Sequence, residues 1–387
     1  MHQKKTITLL LTHNITIIND RFPAGTEQVF LHDIQMLRAK GETISAYAGA
    51  SFPGYAIKKL FFPSWADTAQ HKALSILGQL VYLLEYAKLL KQTMLTVSYN
   101  FPLAAILQPA KTVVYFHYEQ VLSLWSIFAR RYQQSHYIFC SHFLLTQFLH
   151  TYPQIDPKRC TVIHNGIDTS IFSPQRKKHI DNHITFLYAS AWVWEKGMDM
   201  FLSAVNSLPQ QIHRRIQVII ASGPDLWTIH QNPERKCYIQ EQQRMLKRMG
   251  EVIVLNGVTK QQLAALYSQA DWLVFPSIWE EPFGLCALEA IACGCPVLTF
   301  GGGALPEILS PTNSVIVEKK TKKALAQTIE RIAMGNIRPL KKPFPLLTQK
   351  NKHMKISVRD ALYLSYIHTM IRFRRGKNDN YQENTFS

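Results

Sequence analysis

The sequence predicts an α/β protein of two doubly wound, parallel-sheet domains, and three observations carry that prediction. Apolar strand-like runs alternate with amphipathic helix-like runs through both halves, the pattern of parallel sheets covered by helices. At 387 residues the chain exceeds one ordinary core. Residues Ser173 to His183 are polar and basic without periodicity, as expected of an interdomain linker.

In the first half, Thr6 to Leu11 reads as a strand, Glu27 to Ala39 as a helix ending at Gly41, and Thr43 to Tyr47 as the next strand. Leu95 to Ser98 and Thr112 to Phe116 follow as short buried strands, with Tyr137 to Cys140 and Thr161 to Ile163 as two more. The boundary falls after the turn at Asp168, giving a first domain of residues 1–172 and a second of residues 173–355. The second half restarts with strands at Ile184 to Ala189, Ile216 to Ala221, Glu251 to Leu255 and Asp271 to Pro276. Helices at Met198 to Ser207 and Lys260 to Ala270 alternate with them. In such sheets ligands sit beyond the carboxyl ends of the strands.

Composition narrows the class. Hydrophobic residues make up 47% and charged residues 18%, which argues for a folded soluble protein. The most apolar long run, Ala73 to Leu90, is interrupted by Gln79, Glu85 and Lys88 and reads as a buried or interfacial helix, not a membrane span. Basic residues precede a short apolar run at the N-terminus, but the chain passes into His13-Asn14 with no small-residue cleavage site, so a first strand is expected there. Six scattered cysteines offer only Cys293 and Cys295 as a close pair, read here as lying on a buried helix, and reduced thiols in the cytoplasm follow.

The net charge of +17 calls for an anionic partner. Basic residues cluster at Arg176-Lys177-Lys178, Lys319 to Lys323, Lys341-Lys342, Lys350 to Lys355 and Arg372 to Lys377. No zinc finger, basic recognition helix or RNA-recognition strand motif accompanies them, so no nucleic acid is expected. The inner face of the cell membrane or an anionic acceptor is preferred.

The densest chemistry lies in Phe275-Pro-Ser-Ile-Trp-Glu-Glu-Pro-Phe-Gly-Leu-Cys-Ala-Leu-Glu-Ala-Ile-Ala-Cys-Gly-Cys-Pro-Val297. Glu281-Pro282-Phe283-Gly284 reads as a helix start with proline near the first helical position. The amides of Phe283, Gly284 and Leu285 would then point out unpaired and favour an anion such as a diphosphate. On one helix Glu281 and Glu289 would stand roughly 10 Å apart along the axis, about the distance from the ribose of a sugar nucleotide to its hexose. Carboxylates suit vicinal hydroxyls because they offer about four lone-pair sites and no donor. Glu289 sits amid Leu288, Ala290, Ile291 and Ala292, where a charge needs a partner or a ligand.

Glu281 through Glu289 resembles the E-x7-E element of retaining family-4 glycosyltransferases, and Cys293 to Ile308 looks like that family's continuation. Val162-Ile-His-Asn-Gly-Ile-Asp168 with Ile171, Phe172 and Pro174, the Glu195-Lys196-Gly197 loop, and Val254 to Val258 with Leu263, Leu266, Tyr267, Ala270 and Asp271 agree in order. The resemblance covers roughly residues 160 to 310 and is weaker in the N-terminal half. It implies the GT-B fold, two Rossmann-like domains facing across a cleft, with a last helix at about 358–373 returning to the first domain.

The resemblance also assigns roles. Glu281 would orient the hexose and Glu289 the ribose, Lys196 would neutralise the diphosphate, and His117, after the strand Thr112 to Phe116, would contact the transferred sugar. His164 reads as structural. Gly25, in Pro23-Ala-Gly-Thr-Glu27, stands where the family carries a glycine pair, with Ala24 replacing the first glycine. Ala191 stands where the family usually places an arginine partner for the lysine. No D-x-D occurs, so no metal is expected and no cofactor beyond the nucleotide diphosphate sugar. The implied activity is retaining, metal-independent transfer of a hexose to a glycan or lipid-linked acceptor in cell-surface polysaccharide or glycolipid synthesis. A sugar-nucleotide epimerase on the same fold, or a non-catalytic binding subunit suggested by Ala191 and Ala24, are the alternatives.

Overall fold

The computed structural model describes residues 6–11, 25–49, 56–61, 72–119, 121–122, 124–175, 183–222, 233–249, 252–310, 314–338 and 356–374. The expected linker, for all but its first three residues and His183, the basic runs at 176–178, 341–342 and 350–355, and the polar tail at 376–387 lie outside them. So does Ala24.

Two compact units form. The first comprises Met1–Phe139, Tyr152–Ile163 and Val358–Ser387, and the second Cys140–Thr151 and His164–Ser357. The Asp168 turn, where the sequence suggests a boundary, lies within the second unit.

Among the described residues the first unit holds seven strands: β1 (Thr6–Leu11), β2 (Ile44–Ala48), β3 (Lys58–Lys59), β4 (Thr93–Tyr99), β5 (Thr112–Phe116), β6 (His136–Phe139) and β7 (Cys160–Val162). They pair in parallel in the order β3-β2-β1-β4-β5-β6-β7. Parallel strands covered on both faces need near-continuous apolar sequence. Thr112-Val-Val-Tyr-Phe116 meets that demand, and all five of its residues are buried. Ile7 pairs with Ile44 on one side and Leu95 on the other, so the order reverses direction between β1 and β4.

The second unit repeats the plan with β8 (Ile184–Tyr188), β9 (Ile216–Ile220), β10 (Val252–Val254), β11 (Trp272–Phe275), β12 (Val297–Thr299) and β13 (Val315–Ile316). Their order is β10-β9-β8-β11-β12-β13, all parallel. The switch point lies between β8 and β11. Phe186, Trp272, Val274 and Leu298 form the buried centre, covered by Phe201 and Leu202 of the helix Met198–Asn206. The helix Lys260–Gln269 starts in a capping box, Thr259 with Gln262, which satisfies two amides that a helix start leaves orphaned. Cys293 and Cys295 lie beyond the helix Leu285–Ala292, not on it, because that helix ends at Ala292. None of the six cysteines is disulfide-bonded. Among the described residues no helix is long and apolar enough to cross a membrane.

The helix Ile356–Arg374 is fixed in the first unit by charge inside an apolar setting. Arg359 makes a forked pair with Asp33 of the helix Gly25–Ala39, with Nη2 to Oδ2 at 3.0 Å and Nη1 bonded to Oδ1. Both side chains are buried, at 2% and 0% exposure. Tyr99 donates to Asp33 at 2.5 Å and lies 2.9 Å from the Tyr363 hydroxyl, and the guanidinium carbon stands 4.8 Å from the Tyr363 ring centre. Removing one member strands the other as a buried unpaired charge. Arg359→Leu is therefore expected to cost about 3–5 kcal/mol, more than Asp33→Leu combined with Arg359→Leu, in urea unfolding. A double variant weaker than the single one would refute this coupling.

Candidate functional site

The loops that leave β8 and β11 meet beyond the carboxyl ends of those strands, at the switch point where open α/β sheets take ligands. From β8 the chain reaches Lys196 through the short 3-10 turn Trp194–Lys196. From β11 it passes Pro276 and Ser277 to Glu281. Backbone bonds stitch the loops together, since the amides of Ile278 and Trp279 donate to the Glu195 carbonyl at 3.0 and 3.4 Å. Gly197 has φ +69°, and a Cβ there would lie 2.0 Å from the Pro276 carbonyl oxygen, so the approach requires glycine.

This stitching brings together Lys196 and Glu281, 85 residues apart in sequence. Lys196 Nζ donates to both Glu281 oxygens, at 2.7 and 2.8 Å, and Ser277 Oγ donates to Glu281 Oε1 at 2.5 Å. Glu281 is only 3% exposed, so its charge is tolerable only because it is paired and hydrogen-bonded. The ammonium also lies 5.4 Å from the ring centre of Trp279 and 5.6 Å from that of Phe275, within cation–π range. Trp194 and Trp279 remain 61% and 44% exposed beside the pair.

The neighbouring glutamate behaves differently. Glu280 pairs with Lys320 at 2.7 Å, accepts from the Gly303 amide at 2.5 Å, and is held below the usual carboxylate range chiefly by Lys320. Gly303, at φ +66°, would place a Cβ 2.2 Å from the Glu281 carbonyl oxygen, and the Ala304 amide donates to that oxygen at 2.8 Å. The Glu281 backbone is thus clamped from below. Pro282 is clamped as well, by Ser141 Oγ donating to its carbonyl at 2.7 Å.

The helix begins later than the sequence suggests. It spans Leu285–Ala292 behind an N-cap at Gly284 with φ 96°, a left-handed residue that interrupts any helical path from Pro282. Pro282 is therefore not in the first turn, Glu281 is on the loop, and the axial spacing drawn from helical rise does not describe Glu281 and Glu289. The Gly284 carbonyl accepts from Ala287 and Leu288 at 3.1 and 3.2 Å, so Phe283, Gly284 and Leu285 precede the first intrahelical bonds.

Glu289 is half-buried in the same helix and accepts from the Tyr267 hydroxyl at 3.3 Å. Burial pushes its carboxyl up to about 7, against a partial offset from Lys260 and Tyr267. His164 bonds to Glu307, which also accepts from the amides of His142 and Phe143 at 3.1 and 3.3 Å. Donor atoms of His142, His164 and Glu307 lie within 4.8 Å of one another, a spacing that could hold a metal ion. Both Glu307 oxygens already serve His164 and the start of the helix His142–Thr151, whose positive end suits a carboxylate better than a cation.

In the first unit, His117 follows β5 and is buried against Tyr115 and Tyr99, with ring centres 4.2 and 6.0 Å away. Gly25 opens the helix Gly25–Ala39. Ala191 is exposed, and its carbonyl accepts from the Tyr188 hydroxyl at 3.0 Å. Sequence reading did not single out Ser277, Glu307 or Asn100, whose amide oxygen accepts from the His117 backbone N–H at 2.8 Å. Their one sequence signal is position: each directly follows or closely adjoins a strand end or a family motif.

The architecture defines the class first: two parallel α/β sheets, each with the switch-point order of a doubly wound fold, as in the GT-B type. The sucrose-phosphate synthase of Thermosynechococcus elongatus is similar at TM-score 0.71 and 18% identity, over 95% of this chain and 100% of that one. Anabaena HepE in complex with UDP is similar at TM-score 0.71 and 15% identity, over 94% and 100%. At these identities the likeness is one of fold. Residues 171–341, which lie in the second unit, match the family of glycosyl transferases group 1. The MMP alpha-(1->4)-mannosyltransferase of Mycolicibacterium hassiacum is 31% identical over 157 residues, 41% of this chain and 35% of the relative's length.

Two outcomes are expected from this geometry. Lys196→Ala should destabilise the second unit by about 3 kcal/mol because it leaves Glu281 buried without its cation. Adding Glu281→Gln should recover much of that loss in urea unfolding, and strictly additive losses would contradict the pairing. For Glu289, the folded pKa of about 7 lies above the ordinary 4.5, so its stability contribution is complete below about 4.5 and lost as pH rises through about 7. Glu289→Gln should therefore gain on the parent by about 1–3 kcal/mol between pH 5 and pH 8. An unchanged difference across that window would show that Glu289 titrates normally.

Proposed function

We propose that this protein is a retaining glycosyltransferase that moves a hexose from a nucleotide diphosphate sugar to a glycan or lipid-linked acceptor. The observation that carries the reading is the buried Lys196–Glu281 pair at the switch point of a group 1 domain, with Glu289 eight positions on. Lys196 meets the diphosphate charge, aided by the amides of Phe283, Gly284 and Leu285. As the phosphate oxygens take up the ammonium, Glu281 is left with free lone pairs for the hexose hydroxyls. Glu289 takes the ribose hydroxyls at the other end. His117 contacts the transferred sugar, and Gly25 allows close backbone approach to phosphate.

Leaving-group charge is met by the lysine and amides, preorganised where charge develops. The transfer is read as metal-independent, since no D-x-D is present to fix a divalent ion. Retention is read from the family resemblance. The protein acts in polysaccharide or glycolipid synthesis at the inner face of the cell membrane.

The test is turnover of a panel of sugar nucleotides with and without chelator. Glu281→Gln should lower kcat far more than it weakens nucleotide binding, while Glu289→Ala should mainly weaken binding, because one acid faces the reacting sugar and the other the remote ribose. Equal effects on both terms, or activity abolished by chelator and restored by magnesium or manganese, would overturn the assignment. Release of free nucleotide diphosphate without acceptor would identify an epimerase instead.

Membrane attachment rests on the +17 charge. Each basic residue near an anionic surface contributes about 1 kcal/mol, over a Debye length of about 10 Å at 0.1 M salt. Co-sedimentation with anionic vesicles at low salt, reversed at high salt, is expected. Failure to co-sediment would favour a soluble acceptor.

A further inference from the structure

The switch point of the first sheet lies between β1 and β4, and Asn100 is the residue that follows β4 there. It is 2% exposed and has φ +51°, one of two described non-glycine residues with positive φ. Asparagine tolerates this region better than most side chains, but glycine tolerates it best. A buried turn whose only need was that backbone shape would be served by glycine at no desolvation cost.

The backbone N–H of Asn100 and both ends of its carboxamide are hydrogen-bonded. Its amide N–H donates to the Tyr115 carbonyl at 2.9 Å. Its Oδ1 accepts from the His117 backbone N–H at 2.8 Å, and its Nδ2 donates to Thr26 Oγ1 at 3.3 Å. Ser98 Oγ closes the same turn by donating to the Phe101 carbonyl at 2.7 Å. One carboxamide therefore ties three segments that meet at the strand ends: the start of the helix Gly25–Ala39, the turn after β4, and the residue after β5. The His117 ring has packing partners on its faces, Tyr99 and Tyr115, but its backbone is located by Asn100.

We propose that Asn100 is a positioning residue that fixes His117, and Thr26 beside Gly25, in the arrangement used for transfer. The strained backbone is the means, since the left-handed conformation turns the carboxamide back toward both loops. This role rests on the reading of His117 as a contact to the transferred sugar.

Two substitutions separate the role from a merely structural one. Asn100→Gly keeps the turn and removes the carboxamide, and Asn100→Asp keeps an acceptor for the His117 N–H. With the parent and His117→Ala as references, Asn100→Gly should lower kcat at least tenfold, with the donor KM and the melting temperature close to the parent values. Asn100→Asp should restore most of the rate. In parallel, the imidazole resonance of His117, assigned by its loss in His117→Gln, should shift or broaden in Asn100→Gly.

Parent-like kcat and an unmoved His117 resonance in Asn100→Gly overturn the proposal while leaving the function standing. A stable Asn100→Asp that is as inactive as His117→Ala also overturns it, and this holds even where Asn100→Gly fails to fold. A parent that turns over no sugar nucleotide, or a His117→Ala variant as fast as the parent, removes the functional reading and this role with it.

Discussion

A carboxylate taken out of water must find a cation, and the loop geometry of the second unit is organised around the one that Glu281 finds. The Lys196–Glu281 pair needs two loops from neighbouring strands to approach at backbone contact distance. That approach needs glycine at 197, and the Glu281 backbone needs glycine at 303. The sequence Glu195-Lys196-Gly197 therefore supplies the charge and the space for its partner in consecutive residues. Parallel pairing of β8 with β11 makes the arrangement possible, because both strands deliver their loops at the same end.

The first unit uses the same physics for a different purpose. Asp33 and Arg359 are as buried as Glu281, yet they are enclosed by Tyr99, Tyr115 and Tyr363 and present no open face. Their coupling selects one seat for the last helix, as an apolar contact could not. Buried ion pairs add little net stability relative to apolar packing but penalise every misplaced alternative. Lys196 differs in keeping 20% of its side chain exposed, beside two exposed tryptophans. A pair with one accessible partner can exchange that partner for a ligand, whereas a sealed pair cannot.

Strands were legible in the sequence where both faces are covered, since continuous apolar runs such as Thr112 to Phe116 admit little else. The two-residue edge strands β3 and β13 were not, because two residues carry no period, and the inner strand β12 was not singled out either. At the site, Lys196, Glu281 and Glu289 were legible as residue types in motif order, but not as partners. The bidentate contact depends on a pairing 85 residues apart, which neither spacing nor composition encodes. The helix start was misplaced for a local reason: proline is compatible with a first helical turn, but Gly284 adopts a left-handed conformation that puts the turn after it. Asn100 lay hidden for a similar reason, since a lone asparagine after a strand reads as an ordinary turn residue.

The two glutamates of the site also show how one helix neighbourhood gives two acids unlike properties. Glu281 has an ammonium and a hydroxyl within 2.8 Å. Glu289 has one neutral tyrosine at 3.3 Å and is pushed up to about 7 by burial. Two carboxyl groups in such unlike surroundings are suited to distinct roles. On the proposed reading Glu281 lies next to the reacting sugar, where positive charge develops. Glu289, about half protonated near pH 7, lies at the nucleotide end, where it can both donate and accept toward a ribose diol. On that same reading, with Ala191 offering no guanidinium, the diphosphate charge would fall to Lys196 and the amides ahead of the helix, and the lysine that neutralises Glu281 would also be the cation the donor draws upon.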